Sequence, residues 1–381
     1  MAISFSLVPE ELGLRDPLLV GAFTGWPDAS LGASGAVRFL VEALRAAPLA
    51  TWDGDEYYDF TELRPLSRVV PPRDRALIWH QGEFWVAREV PFSARGDGGE
   101  GAVGSTGEPS SRSVILFLAP EPKLRWRSYS RELAAFAQRC GVTQVLFFGA
   151  AYADVPHTRP PIVTGWATES RLRTRLEAIR VPFSAYQGPS SMQSAAIEAC
   201  REIGMACVSL FSNGPSYLTV PNANLSLALL RRLAGTFGLA LDLKLLEEAA
   251  QALTNQVNAA MEERSDDEFR EHVRRLEARF DERASPLAPG QLQREVEREA
   301  EGEAEGADAG GPLNVDPQDV VRELEDFLRR RSQSQRGQED QTPEPDDARE
   351  QNAPNDRLDD APNEGDDSAG PPDRSGQGPR P

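Results

Sequence analysis

Histidine and cysteine are scarce, with three of each in 381 residues. No two of these six side chains stand at the spacing of a zinc-binding pair, so no metal site is expected, and no bound cofactor either. A serine elbow of the form G-x-S-x-G is missing, which removes the commonest signature of an α/β-hydrolase nucleophile. The N-terminal stretch MAISFSLVPEEL has neither a basic start nor a long apolar core, so it does not read as a signal peptide. No apolar run reaches the roughly 20 residues that cross a bilayer. Positive charge is also short. The formal net charge is −19, which argues against nucleic acid or an anionic membrane as partner, since both are polyanions. Cys140, Cys200 and Cys207 sit among apolar neighbours and read as buried reduced thiols. A soluble cytoplasmic protein is the expectation.

What is present is an alternation of short apolar runs and helical stripes. Leu18–Phe23, Leu49–Trp52, Leu66–Val70, Ala76–His80, Phe84–Val90, Ser113–Ala119, Val145–Phe148, Phe183–Tyr186 and Met205–Phe211 read as strands, as do Ile162 and Val163. Helices are predicted where Val37, Leu40, Val41 and Leu44 recur, where Leu133, Phe136 and Cys140 recur before a capping Gly141, over Glu169–Glu177, and from an N-cap at Ser190 or Ser191 to Arg201 or Glu202. Another follows Pro221, with Leu225, Leu229, Leu230 and Leu233 in one stripe. This alternation predicts a largely parallel sheet covered by helices. Beyond it, Leu246, Ala249, Leu253 and Val257 make one helical stripe and Phe269, Val273, Leu276 and Phe280 a second.

The organisation predicted along the chain is an α/β domain over 15–240, a helical extension over 241–282, a disordered acidic linker over 283–314, an amphipathic helix over 315–331 and a disordered tail over 332–381. Residues 93–111, SARGDGGEGAVGSTGEPSS, read as a flexible surface insertion. In the 315–331 segment Val320, Val321, Leu324, Phe327 and Leu328 form one apolar face. Acids come early and Arg329 to Arg331 end it, which complements the helix dipole.

Chemistry concentrates in the stretch VLFFGAAYADVPHTRPPIVTG, where a buried-type strand, ended by Gly149, enters a proline-stiffened loop. In open α/β sheets ligands gather beyond the carboxyl ends of strands. Asp154, His157, Thr158 and Arg159 are therefore candidate binding residues, joined by Trp26 and Asp28 in the turn TGWPDASLGASG and by Arg64. Structurally, Asp154 and Arg159 are equally well read as an ion pair that shapes the loop. The turn lacks both G-x-G-x-x-G and a phosphate-binding Gly-Lys-Ser/Thr, so close helix–strand packing explains its glycines. Of the histidines, only His157 has polar company; His80 has no evident companion and His272 lies on a charged helix face. Asp28, Asp154 and His157 meeting at adjacent strand ends would allow acid–base chemistry, but no complete catalytic set is present. Tyr58, Arg125, Trp126 and Arg127 are of types enriched in protein interfaces and form a candidate interface.

Several segments in order carry a resemblance: GWPDA (25–29), YYDF followed by Arg64-Pro65, EPKLRWRSYSREL (121–133), and GAAYADVPHTRPPIVTG (149–165), with YQGPSS (186–191) and SLFSNGPSYL after them. Together they resemble the actinobacterial branch of the proteasome assembly chaperone family, type two, over about residues 15–282 and the 315–331 helix. The resemblance implies a three-layer α/β/α sandwich with a mostly parallel sheet, a C-terminal helical extension and a disordered acidic tail. It implies a non-enzymatic, chaperone-like protein-binding module that self-associates, often as a trimer, with an unidentified protein partner that is proteasome-related. The residues alone leave open a hydrolase or phosphorylase-like enzyme acting on a small metabolite, or a small-anion sensor, working through the 154–159 loop. Thr24 stands where relatives commonly have an acid and Ser216 where they commonly have histidine.

Overall fold

The computed structural model describes residues 3–5, 13–71, 73–92, 110–263 and 267–284. Most of the predicted 93–111 insertion lies outside these residues, as do the linker beyond 284, the 315–331 helix and the 332–381 tail.

Ten strands and seven α-helices are described: β1 (Ile3–Phe5), β2 (Leu18–Thr24), α1 (Gly32–Ala43), β3 (Ala47–Trp52), β4 (Leu66–Val70), β5 (Asp74–Ile78), β6 (Gly82–Phe92), β7 (Ser110–Pro120), α2 (Trp126–Arg139), β8 (Gln144–Ala153), β9 (Ile162–Ala167), α3 (Ser170–Ala178), α4 (Met192–Glu202), β10 (Ala206–Pro215), α5 (Ala223–Phe237), α6 (Lys244–Glu263) and α7 (Asp267–Ala284). Eight strands form one sheet in the order β1-β3-β6-β7-β2-β8-β10-β9. The central four, β7, β2, β8 and β10, are parallel to one another. β6 and β9 flank them antiparallel, and β3 and β1 extend the β6 side by antiparallel pairs.

Strand residues alternate between the two faces, and this splits the core into two apolar layers. Leu18, Val20, Ala22, Leu146, Phe148 and Val208 face α1 and α5 in a mainly aliphatic layer. Leu19, Phe23, Phe117, Val145, Phe147 and Cys207 face α2 and α4 in a layer rich in aromatic rings. The result is a three-layer α/β/α sandwich. A smaller cluster joins Tyr217, Leu218 and Val220, beyond β10, to Leu253 and Val257 of α6 and Val273 and Leu276 of α7.

Four expectations need correction. β8 does not end at Gly149 but continues to Ala153. The ring of Phe211, its register partner on β10, comes within 2.3 Å of where a Cβ would stand, so this glycine makes room for a ring and leaves the strand intact. β5 ends at Ile78, short of His80, because the next position on the paired strand is Pro65, which has no N–H to donate. The segment 183–186 is no strand; only Phe183 bridges, to Gly165, before the chain turns toward α4. Ser191 is the N-cap of α4 but makes no side-chain cap. A carboxylate from elsewhere does this work: Met192 N–H donates to Glu121 Oε1 at 2.7 Å. Burial of Glu121 raises its pKa, and the amide bond opposes that shift.

Candidate functional site

The carboxyl ends of β2, β7, β8 and β10 form one rim. Backbone bonds draw the tryptophan turn onto it: Ala150 N–H donates to the Pro27 carbonyl at 2.8 Å, part of a parallel bridge between Asp28 and Ala150, and Glu121 N–H donates to the Thr24 carbonyl at 2.9 Å. Gly25, at φ 111°, occupies a conformation that side chains resist, and it lets the chain turn sharply after β2. Trp26 next to it is 60 % exposed.

Asp28 is buried and serves the start of α1. Its Oδ1 accepts the amide hydrogens of Ala33 and Ser34 at 2.9 and 3.0 Å, satisfying two donors that a helix N-terminus leaves open. Its Oδ2 is buried with no partner. Desolvation outweighs the amide bonds and pushes the carboxyl up to about 6. Between Asp28 and the helix, Ser30 and Leu31 adopt left-handed backbone at φ 49° and 52°, which costs non-glycine residues about 1–2 kcal/mol each. The loop after β10 holds them there: Ser30 Oγ donates to the Leu218 carbonyl at 2.5 Å, and Asn222 N–H donates to the Ser30 carbonyl at 2.8 Å. Leu31 is left exposed, as is Tyr152 at the end of β8, whose hydroxyl lies 3.4 Å from Ser30 Oγ.

The 154–159 loop is on the same rim but faces inward to the helices. His157 is buried. The Tyr217 hydroxyl accepts the His157 backbone N–H at 2.8 Å, so its own hydrogen is directed to Nδ1, also at 2.8 Å. The imidazole is then the Nε2–H tautomer, donating to Asn258 Oδ1 on α6 at 3.0 Å. Burial lowers the His157 pKa and raises that of Tyr217. Thr158 Oγ1 donates to Glu277 Oε1 on α7. The Arg159 guanidinium forms a fork on Asp281, Nε to Oδ1 at 2.8 Å and Nη2 to Oδ2 at 2.7 Å, with Glu277 at 3.2 Å. The hydrogen bond to Asp281 raises the arginine pKa and lowers that of Asp281. Asp154 does not pair with Arg159; its carboxylate lies 3.6 Å from Arg279 on α7. That reading fails because both loop charges meet opposite charges on a helix more than a hundred residues away.

Of the sequence candidates, Trp26 and Asp28 share the rim with Asp154, His157, Thr158 and Arg159, yet among the described residues no hydrogen bond or ion pair joins the two groups, and His157 bonds to Tyr217 and Asn258 and to neither acid. Arg64 stands apart near the β4–β5 hairpin, its carbonyl accepting from His80 Nε2 at 3.0 Å. His272 likewise has company, the ring of Tyr217 at 6.3 Å. Tyr58 is corrected from the interface to the core: it is 4 % exposed, within the aromatic layer. Trp126 is half-buried, its indole donating to the Pro122 carbonyl at 2.6 Å. Arg125 is exposed and paired to Glu56, and Arg127 is exposed.

Sequence reasoning missed Ser30, Leu31, Tyr152, Tyr217 and Asn258. Tyr217 had a signal, since SNGPSYL follows a strand end; Asn258 had none among the polar residues of α6. Among the described residues no three His, Cys, Asp or Glu side chains are grouped to hold a metal ion, and no helix is long and apolar enough to cross a membrane.

No curated protein matches the chain. Among solved structures, a PAC2 family protein from Streptomyces avermitilis is 33 % identical, with a TM-score of 0.57 over 68 % of this chain and 100 % of that one. A proteasome-assembly chaperone homologue from Mycobacterium tuberculosis is 29 % identical, with a TM-score of 0.56 over 67 % of this chain and 99 % of that one. A Corynebacterium glutamicum protein of unknown function, 22 % identical, shares the fold at a TM-score of 0.62 over 74 % of this chain and 98 % of that one. The PAC2 family model matches residues 22–261, a span that runs from the carboxyl end of β2 through α5 and most of α6 and holds the rim, and on that match the chain belongs to the PAC2 family.

Proposed function

We propose that this protein is a non-enzymatic, chaperone-like module that binds proteasome-related subunits from the cytoplasm as a homo-oligomer, with three copies expected. The observation that carries the reading is the exposed apolar rim of Trp26, Leu31 and Tyr152, built on a turn whose strain is held by the loop after β10. Large exposed apolar side chains on a rigid support suit the centre of a protein interface. Membership in the PAC2 family and similarity to a proteasome-assembly chaperone homologue support the same partner class. The 154–159 loop supports it from the other side. Its histidine has both ring nitrogens engaged within the chain and its arginine is neutralised by α7, so their role here is to seat the helices.

The test is native mass spectrometry of the purified chain mixed with purified core-proteasome subunits of its own host. Expected is a complex with unassembled subunits that is absent with the mature core, weakened about tenfold or more by Trp26→Ala with Leu31→Ala. No complex with any subunit, or one indifferent to both substitutions, overturns the reading. Light scattering on the same samples counts the copies.

A further inference from the structure

The β4–β5 hairpin is a two-stranded ribbon that pairs with no other strand among the described residues. All ten of its residues are exposed, including Leu66 at 60 %, Val69 at 62 % and Leu77 at 57 %. Both faces carry apolar side chains: register sets Leu66 opposite Ile78 on one, and Ser67 opposite Leu77 and Val69 opposite Arg75 on the other. An isolated hairpin is marginal in water and needs a surface to pack on. The ribbon is also basic. Arg68, Arg73 and Arg75 stand against Asp74 alone, and among the described residues no carboxylate forms an ion pair with any of the three.

The connection that leads into the ribbon has the opposite sign. Between Trp52 and Arg64 stand Asp53, Asp55, Glu56, Asp59 and Glu62, and no basic residue. Glu56 pairs with Arg125 and Glu62 with Lys123, while Asp53, Asp55 and Asp59 form no ion pair among the described residues. Phe60 and Leu63, both half-buried, add apolar surface among these acids. The connection is fixed to the body: Lys123 and Leu124 N–H donate to the Tyr57 carbonyl at 2.9 and 3.1 Å, and the Tyr57 hydroxyl donates to Glu132 Oε1 at 2.7 Å. Ribbon and connection thus match in charge and in apolar character, yet no ion pair of the described residues joins them within one chain. A second copy supplies the missing contact. Nucleic acid and anionic lipid suit the arginines but are repelled by the acids beside them. Ribbon against ribbon would set arginines against arginines. Ribbon against connection sets opposite charges together, and every copy both offers and receives that contact, either reciprocally about a twofold axis or passed round a ring.

We infer that the β4–β5 ribbon of one copy of this chain docks on the 53–62 connection of another, its arginines toward Asp53, Asp55 and Asp59 and its apolar side chains toward Phe60. The inference rests on the homo-oligomer of the proposed function and names the two surfaces that hold it together.

The experiment is sedimentation velocity over a dilution series of the full-length chain, in wild type and three variants: Arg68→Glu with Arg75→Glu, Asp53→Arg with Asp55→Arg, and all four substitutions in one chain. All four side chains are exposed. Each pair of substitutions sets like charges together and should weaken association about tenfold or more. The four combined exchange the two signs, so the attraction returns and association should recover to near the wild-type constant, which variants that merely fail to fold cannot do. Wild-type association that neither pair alters overturns this docking and leaves the homo-oligomer standing. So does a chain with all four substitutions that stays dissociated. A wild type that is monomeric at every concentration removes the homo-oligomer itself, and this docking with it.

Discussion

At the scale of single residues, Asp28 and His157 place two buried titratable groups on one rim with opposite pH signatures. Asp28 has a pKa of about 6 in the folded chain against 3.8 for an ordinary aspartate. The folded state therefore holds the proton more tightly, so this group's contribution is fully present below the unfolded value and is lost as pH rises through about 6. Two units correspond to roughly 3 kcal/mol. Asp28→Asn keeps an oxygen for the α1 amides and removes the titration. Urea unfolding of both chains between pH 4 and pH 7.5 should show the stability difference moving in favour of asparagine by about that amount as pH rises; parallel profiles would mean the carboxylate is better solvated than its unpartnered Oδ2 implies. His157 runs the other way. Its pKa is lowered by burial, so its contribution is complete above the ordinary imidazole value of 6.5 and declines as pH falls below it. Tyr217→Phe tests the same bond set without changing charge. It strips the acceptor from the His157 N–H and the donor from Nδ1, and leaving such groups buried without partners costs about 1–3 kcal/mol. A loss below a few tenths of a kcal/mol would show that solvent reaches them.

At the scale of elements, α7 is held by both charge and packing, and the two differ in size. The Arg159 fork on Asp281 is partly exposed, and such pairs contribute up to about 1 kcal/mol. Leu276, at 1 % exposure between α6, α7 and the loop after β10, is worth about 2–5 kcal/mol against alanine. Chemical unfolding should therefore rank Leu276→Ala well above Arg159→Ala; the reverse order would make the loop's charges the main anchor. The same comparison explains what the sequence allowed to be read. The central strands and the stripes of α1, α5, α6 and α7 were legible because apolar periodicity is local and encodes which face is buried. The length of β8 was not, since Gly149 looks like a terminator until the Phe211 ring is placed against it. Nor was the allegiance of Asp154 and Arg159, whose partners Arg279 and Asp281 lie more than a hundred positions away. Tyr58 and Trp126 have the composition of an interface, and only the fold tells that the first is core.

At the scale of the whole molecule, α6 spans two apolar units. Leu246 and Ala250 near its start join the aliphatic layer on the sheet, while Leu253 and Val257 join the cluster with α7. The cysteines lie elsewhere: Cys140, Cys200 and Cys207 are all buried in the aromatic layer under α2 and α4. The hydrogen bond with Cys207, and after it burial, raise the Cys200 thiol pKa, so reaction requires that layer to open. The molecule thus carries a built-in reporter for one unit that is blind to the other. If the α6–α7 end is a separable cooperative unit, Leu276→Ala should speed hydrogen exchange in α7 and the second half of α6 while labelling of the three thiols by an aromatic disulfide reagent stays at the wild-type rate. Thiol labelling accelerated by the same factor as α7 exchange would mean that the sheet and the helices open together. The His157–Asn258 and Arg159–Asp281 links would then couple the 154–159 loop to the entire fold and would no longer act as a local clasp.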